Sequence, residues 1–590
     1  MKPLTLTHIL AWVALVDCDV GDNRPLGAIC GNDQECSSGL CVEGRCLDPS
    51  ARCYASQRRC TSAGSSEECI APGKWVLKQD CEAEGLACIA GSCRSPCAID
   101  PKYHNSNSGC DYWAVDMDNH YGAENGPFAV IISNLSEREA DVFVTRKDDA
   151  GSQLAEVLHR ELAPGELSIL DLPNRNMGTA GIFWSAYRIQ STSAIIAYQF
   201  NPLHNVDVFS NGASLLISAN TLGTEYFIMS RFEFLGGGPT PDSLVPYRGE
   251  FSVVAGGTHT NVTVVPTCRT QAGANLQAMV PLQSYTYTID PYQVLNVKSD
   301  EDLGDLTGSL VLSDKPVAVF SGHEAAISSD RCCADHLEHQ MFPVSTWGNE
   351  YVAARSYPRQ VEKDYWRIIA AENDTTVELS PPVEGVNART INRGQWFEIV
   401  TGEDFVVTAD KPIAVGQLLA SSHEVVEPAP FSECATDYVC APGYTCQFDF
   451  FTSTCLAPPC TPGLPTCPAG HVCTTYDDGH SSCAPIGDPE LIMVPPTKQF
   501  RDYYVFLSPN NYAFDYINIV APSDASVALD GREVPPGDFT AIASLGWKVA
   551  RISVADGIHR LLASQPVGVI AYGYDRDVSY GYAAGLNLVE

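Results

Sequence analysis

Five donors fall within 17 residues: His323, Cys332, Cys333, His336 and His339. Imidazole nitrogen and thiolate sulfur are ligands for Zn²⁺ and Cu²⁺, and a His-x2-His spacing on a helical turn would direct two rings to one ion. The bland alternative is preferred. An oxidising compartment converts thiols to disulfides, so Cys268 is expected to bridge Cys332 or Cys333, with the histidines packed or facing solvent. Three cysteines are an odd set, so one is left free or pairs elsewhere, and adjacent cysteines rarely bridge each other because the geometry is strained.

Asp116, Asp118 and Asn119 place three oxygen donors in four residues, and Asp300, Glu301, Asp302 and Asp305 form a second acidic group. Calcium is the ion that takes such oxygen ligands, although neither group matches an EF-hand loop. No other cofactor is expected. No catalytic residue is assigned: G-x-S-x-G, H-E-x-x-H and the P-loop are all absent. His323-Glu324 does not complete a zincin motif, and Ser579 lacks the glycine that opens a nucleophile elbow. Tyr572, Tyr574, Tyr580 and Tyr582 suit either a binding platform or, preferably, a closing hairpin with cross-strand tyrosine pairs.

The 24 cysteines are clustered. Cys18 is followed by a four-cysteine set (Cys30, Cys36, Cys41, Cys46) and a six-cysteine set (Cys53, Cys60, Cys69, Cys81, Cys88, Cys93). Cys97 and Cys110 flank the start of the main body. A later cluster is a tandem duplication: Cys434, Cys440, Cys446 and Cys455, then Cys460, Cys467, Cys473 and Cys483. Such segments are too short to build sufficient cores and read as disulfide modules, with connectivity left open by spacing alone. Neither cluster contains the C-x2-C pairs usual in structural zinc sites.

The N-terminus agrees with export. Residues 1–17 carry Lys2 and an apolar stretch of signal-peptide length. Leu15-Val16-Asp17-Cys18 is lipobox-like, which makes Cys18 a candidate lipid attachment to a membrane, with Asp17 departing from the pattern. No other apolar run is long enough for a transmembrane helix.

Lys and Arg total 36 against 71 Asp and Glu, a net charge of −35. That excludes nucleic acid as an expected partner and argues against charge-driven docking to anionic lipid. At 45% hydrophobic and 18% charged, the chain has the composition of a folded protein.

The remainder is β-rich, with short apolar runs bounded by Gly, Pro, Asn and Asp. Three landmarks recur four times. Two strands around a polar turn occupy 129–144, 252–265, 367–379 and 518–529. A turn follows at 162–166, 289–293, 391–395 and 534–538. A late strand closes each unit at 191–198, 314–320, 410–416 and 564–571. Pro316, Pro412 and Pro566 are expected at the first position of that strand, where a missing N–H costs no ladder bond. The expected division is a signal peptide at 1–17, cysteine modules at 18–50 and 51–96, and β repeats at 97–209, 210–328, 329–422 and 488–590. The tandem cysteine module at 423–487 interrupts the last two. The expected fold class is all-β, with tandem β-sandwich-like repeats preferred over a propeller, plus small disulfide-rich modules.

Several blocks carry a family resemblance: Gly109-Cys110-Asp111-Tyr112-Trp113, residues 335–344 (DHLEHQMFPV) followed by Trp347-Gly348, Gly487-Asp488-Pro489, residues 505–509 (VFLSP), and Tyr572-Gly573-Tyr574 through Ser579-Tyr580-Gly581-Tyr582. Over about 97–590 the chain resembles the N-terminal domain family of the IgG Fc-binding protein, in the form found in secreted myxobacterial proteins with added cysteine-rich modules. The resemblance implies an extracellular, non-enzymatic, adhesive character. The function expected is therefore a secreted or surface-tethered binding protein contacting a protein or glycan ligand. A secreted hydrolase or metal-dependent enzyme using His323, His336 and His339 is the alternative, and a structural matrix or envelope component is a third.

Overall fold

A computed structural model describes residues 41–42, 45–46, 58–61, 65–71, 74–81, 83, 87–89, 91–94, 106–203, 210–240, 243–329, 333–425, 445–449, 452–456, 458–462, 467–475, 479–510, 512–542 and 546–588. Their regular structure is β-strand with a few short 3-10 turns and no α-helix. Two compact units, Met1–Arg94 and Ser95–Glu590, divide the chain. The signal segment, Cys18, Cys30, Cys36, Cys53, Cys97, Cys332, Cys434 and Cys440 lie outside the described residues.

In the second unit, four sheets share one strand order. Each is organised on a long crossing strand: Tyr187–Asn201, Leu310–Ala326, Phe405–Leu418 and Gly557–Asp575. The two strands flanking the polar turn do not pair with each other, because the crossing strand lies between them. In the second sheet, for example, Gly249–Ala255 and Thr260–Val265 both pair with Leu310–Ala326. An opening strand joins the first part of the crossing strand, and a return strand joins its last part. The crossing strand thus exchanges one set of neighbours for another along its length, the device by which a single strand curls a sheet into a sandwich-like unit. Where one face is half-solvated, burial alternates, as in Thr260–Val265 (TNVTVV).

The prolines occupy that exchange. Pro316, Pro412 and Pro566 are interior to strands that begin at Leu310, Phe405 and Gly557, so they do not open a strand. The adjoining pairing registers shift there. At such a break no ladder bond from the proline nitrogen is required.

Tyrosine hydroxyls close the same break. Tyr112 donates to the Ile195 carbonyl at 2.6 Å, Tyr226 to Val317 at 2.8 Å, and Tyr504 to Val567 at 2.5 Å, with Tyr351 to Ile413 completing the set. A second recurrence sits two residues before Ala194, Pro316, Pro412 and Pro566, which hold equivalent places on the four crossing strands. Thr192, Asp314, Asp410 and Ser564 accept from the backbone N–H of Asp141, Asn261, Thr376 and Ser526 respectively. In the recurring turn, Glu166, Gln293 and Gln395 each use a side-chain oxygen to accept from the backbone N–H three residues earlier.

The four return strands, Gly212–Leu215, Asp335–Gln340, Leu491–Val494 and Val578–Ala583, pack against one another in cyclic order at the centre. The circuit closes where the body begins and ends. Asn107 N–H donates to the Leu586 carbonyl at 3.2 Å, and Arg501 reaches the Asn107 side chain at 2.9 Å.

The first unit contains a three-stranded sheet, Arg58–Cys60, Ser66–Ala71 and Lys74–Gln79, with disulfides Cys60–Cys88 and Cys81–Cys93. In the tandem module, Cys460–Cys473 and Cys467–Cys483 staple the hairpin His471–Thr475/Ser481–Pro485. Cys69, Cys110 and Cys333 are also disulfide-bonded. Backbone strands carry Cys41, Cys46, Cys446 and Cys455.

Cys268 requires a correction: it is a buried free thiol, so the expected bridge to Cys332 or Cys333 is not formed. Its Cβ lies against the turn at Gly304, where an added Cβ would sit 3.2 Å away. Burial pushes the thiol up to about 12.

Candidate functional site

Every residue of the return strands is buried, yet polar groups are concentrated there. Glycine permits the approach: a Cβ on Gly212 would lie 3.0 Å from the His336 ring and 3.1 Å from the Glu338 side chain. Asp335 ties three segments together. Its Oδ1 accepts from Asn211 N–H at 2.7 Å and from its neighbour His336 N–H, while Oδ2 accepts from Ser579 N–H at 3.3 Å. Ser214 accepts from Gln340 N–H at 2.7 Å, and Gln340 Oε1 accepts from Ile217 N–H at 2.7 Å. Ser579 donates to the Asp488 carbonyl at 2.7 Å and accepts from Asp488 N–H at 3.0 Å. Burial, reinforced by neighbouring carboxylates, holds Asp335 and Glu490 well above the ordinary carboxylate range. These contacts fix the mutual register of the four repeats, and the side chains are closed to solvent.

The expected metal ligands do not converge. Asp335–Gln340 is a strand, not a helical turn, so residues three apart project to opposite faces. His336 Nε2 is 3.5 Å from Glu338, while His339 Nδ1 lies 2.8 Å from the Gln340 carbonyl. His323 is on the neighbouring strand, with Nε2 3.1 Å from the Phe232 carbonyl and Nδ1 accepting from Ala325 N–H. Burial lowers His323 to about 3 and His339 to about 4, leaving both neutral. The proposed calcium ligands are likewise engaged by protein donors. Asp116 accepts from Arg175 N–H at 2.6 Å, Asp118 pairs with Lys298, and Asn119 Nδ2 donates to the Asn201 carbonyl at 3.0 Å. In the second acidic group, Asp305 pairs with Arg367 at 2.8 Å, and Asp300 with Arg248 at 3.3 Å.

Lys298 forms a hub that sequence reasoning missed. This buried ammonium faces Asp118 from the first repeat, Glu324 at 2.7 Å and Glu250 at 3.6 Å. Nothing in the local sequence marks it, because its three partners are distant in the chain. The final tyrosines are also internal: Tyr572, Tyr574, Tyr580 and Tyr582 are all fully buried.

The exposed apolar groups lie on the exterior. Among the described residues, the second repeat alone inserts a two-stranded hairpin between its opening strand and the next strand of its sheet: Phe234–Gly237 paired with Leu244–Tyr247. Phe234 and Tyr247 face inward, stacking near His323 and His120. The register puts Leu235 and Leu244 together on the other face, with 60% and 69% exposure. An open cleft of about 750 Å³ lies elsewhere, lined by Asn220, Leu222, Glu225, Val344, Thr346 and Leu588. It joins the segments leading into the second and third repeats.

No described helix is long and apolar enough to cross a membrane. The family model described as IgGFc binding protein matches residues 212–449 and 469–573, which includes the exposed hairpin and most of the central junction. The human protein named IgGFc-binding protein is 30% identical over 224 residues. That match covers 38% of this chain and 4% of the human protein, so the chain spans only a small part of that relative. With more than half of its length matched by the family model, the chain belongs to the IgGFc-binding protein family.

Proposed function

We propose that this is an extracellular, non-enzymatic binding protein that presents its ligand-contacting surface on a rigid ring of β repeats. The observation that carries this reading is the hairpin of the second repeat, where Leu235 and Leu244 share one exposed face. Apolar side chains held side by side in water cost free energy unless a partner covers them. The closed central junction supports the reading by holding the surrounding sheets in fixed register. Family membership supports it as well, since the human relative is named for binding IgG Fc. Disulfide modules and the signal-like N-terminus suit an exported protein, and Cys18 would supply the tether if lipidated. Further weak sites on the repeats would add through effective concentration.

The experiment is biolayer interferometry on the full chain with two probes, IgG Fc fragment and an immobilised glycan panel, beside hydrolase assays on polymeric substrates. Saturable binding to Fc that falls at least tenfold in Leu235→Asp/Leu244→Asp supports a protein ligand at the hairpin. Glycan binding unaffected by that variant would overturn the hairpin assignment. A measured turnover that tracks the purified protein would overturn the non-enzymatic reading.

A further inference from the structure

Among the described residues, the first repeat carries a cluster of donors that its sister repeats lack. His159 and Glu161 are two residues apart on Leu154–Leu162, an edge strand, and so share a face. Asp141 on the neighbouring strand is the direct register partner of Glu161, and Phe143 is that of His159. His159 Nε2 lies 3.1 Å from Asp141 Oδ1. One ligand atom from each of Asp141, His159 and Glu161 falls within 4.8 Å of the other two. Two donors bound to one tetrahedral Zn²⁺ at about 2.0–2.1 Å are roughly 3.3 Å apart. The observed imidazole–carboxylate separation is already close to that spacing.

Two independent features point to a cation. Carboxylates directly opposite each other on paired strands repel, and among the described residues neither Asp141 nor Glu161 has a Lys or Arg ion-pair partner. Two of the three sister repeats hold neutral pairs at this position. The recurring cap on the N–H of Asp141, Asn261 and Thr376 defines their equivalence. In the second repeat, Asn261 faces Thr288 at 2.8 Å and Thr263 faces Thr286 at 2.8 Å. In the third, Thr376 faces Thr390 at 3.4 Å. Those neutral pairs satisfy each other. The first repeat replaces them with two acids and an imidazole. The ring is also held in place: it stacks on Phe143 with centroids 4.5 Å apart and planes 4° from parallel.

We propose that Asp141, His159 and Glu161 form a surface site for a divalent transition-metal ion of the Zn²⁺ class. One imidazole nitrogen with two carboxylate oxygens suits Zn²⁺, Cu²⁺ or Ni²⁺, whereas Ca²⁺ takes oxygen ligands throughout. The edge position leaves the fourth coordination place open to water, as in zinc sites with three protein ligands. The ion would relieve the repulsion across the two strands.

The test is calorimetric titration of the metal-free full chain with ZnCl₂, alone and in excess CaCl₂, for the wild type, His159→Gln and Asp141→Asn. The expected result is one zinc equivalent that calcium does not displace, with affinity reduced at least tenfold in each variant. Both positions are partly exposed, and unchanged metal-free unfolding midpoints for the variants would assign the loss to the ligands. Absence of zinc binding by the wild type, or binding unaltered by both substitutions, would overturn the proposal.

Discussion

The Tyr226 hydroxyl donates to the Val317 carbonyl at 2.8 Å, where the crossing strand of the second repeat changes partners. The same oxygen accepts from Gly223 N–H at 2.8 Å. One side chain therefore satisfies two backbone groups beside a break in the ladder. Because the site is buried, removing the hydroxyl leaves polar groups that water cannot reach.

Tyr226→Phe is accordingly expected to destabilise the body by about 1–3 kcal/mol, the cost of leaving a buried hydrogen-bonding group unmatched. Urea denaturation followed by tryptophan fluorescence measures this. A loss well below that range would mean that the break is satisfied in another way.

Much of this device is written in the sequence. Gly109 precedes Tyr112 by three residues, as Gly223 precedes Tyr226 and Gly348 precedes Tyr351, and each hydroxyl reaches the late-strand residue just after Ala194, Pro316 or Pro412. The late strands were legible because turn residues and β-branched residues report local backbone geometry, but the prolines sit inside longer strands instead of opening them. The strand insertion between the two arms of the polar turn was not legible, since register over distances such as Val262 to Ser313 leaves no local mark. His336 and His339 admitted two readings for a related reason. Their spacing has opposite meanings on a helix and on a strand, and only the pairing of 335–340 with the crossing strand decides between them. Lys298 was invisible because its partners, Asp118, Glu250 and Glu324, converge only after two repeats have docked.

That convergence makes Lys298 a sensitive position. Its ammonium is the shared counter-ion for three carboxylates, and their field holds it above the usual lysine range against the effect of burial. Lys298→Met preserves much of the apolar stem while stranding buried acids. The expected cost is about 3–5 kcal/mol, as for breaking a buried ion pair from one side. Chemical denaturation provides the measurement, and Asp118→Asn in the Lys298→Met background should recover part of the loss. A variant as stable as the wild type would show that the acids are neutral without the lysine.

Cys268 offers a probe of the second repeat. It is buried, its thiol is pushed up to about 12, and thiolate is the reactive form. Iodoacetamide at neutral pH is expected to leave Cys268 unmodified in the native protein and to label it on unfolding in denaturant without reductant. Peptide mass spectrometry at Cys268 reads the result. Rapid native labelling would mean that the turn around Gly304 opens readily.

Stability should fall as pH rises above neutrality. Burial raises Asp488 to about 6, Asp515 to about 7 and Asp116 to about 8, each from 3.8. Each holds a proton in the folded state at pH values where the unfolded chain has released it. Their contribution is complete below the unfolded value and is lost as pH rises through the folded values. His323 and His339 act in the opposite direction. Held down to about 3 and about 4, they favour folding above 6.5 and withdraw that support as pH falls from there. Between about pH 6.5 and 8.5 the carboxyl groups therefore set the slope, and the urea midpoint should decline across that interval. Asp116→Asn keeps an acceptor for the Arg175 N–H, bonded at 2.6 Å in the wild type, while removing the titration. Its profile should be flatter near pH 8. A wild-type midpoint that stays level or rises over the interval would show that these carboxyl groups ionise in the folded protein without penalty.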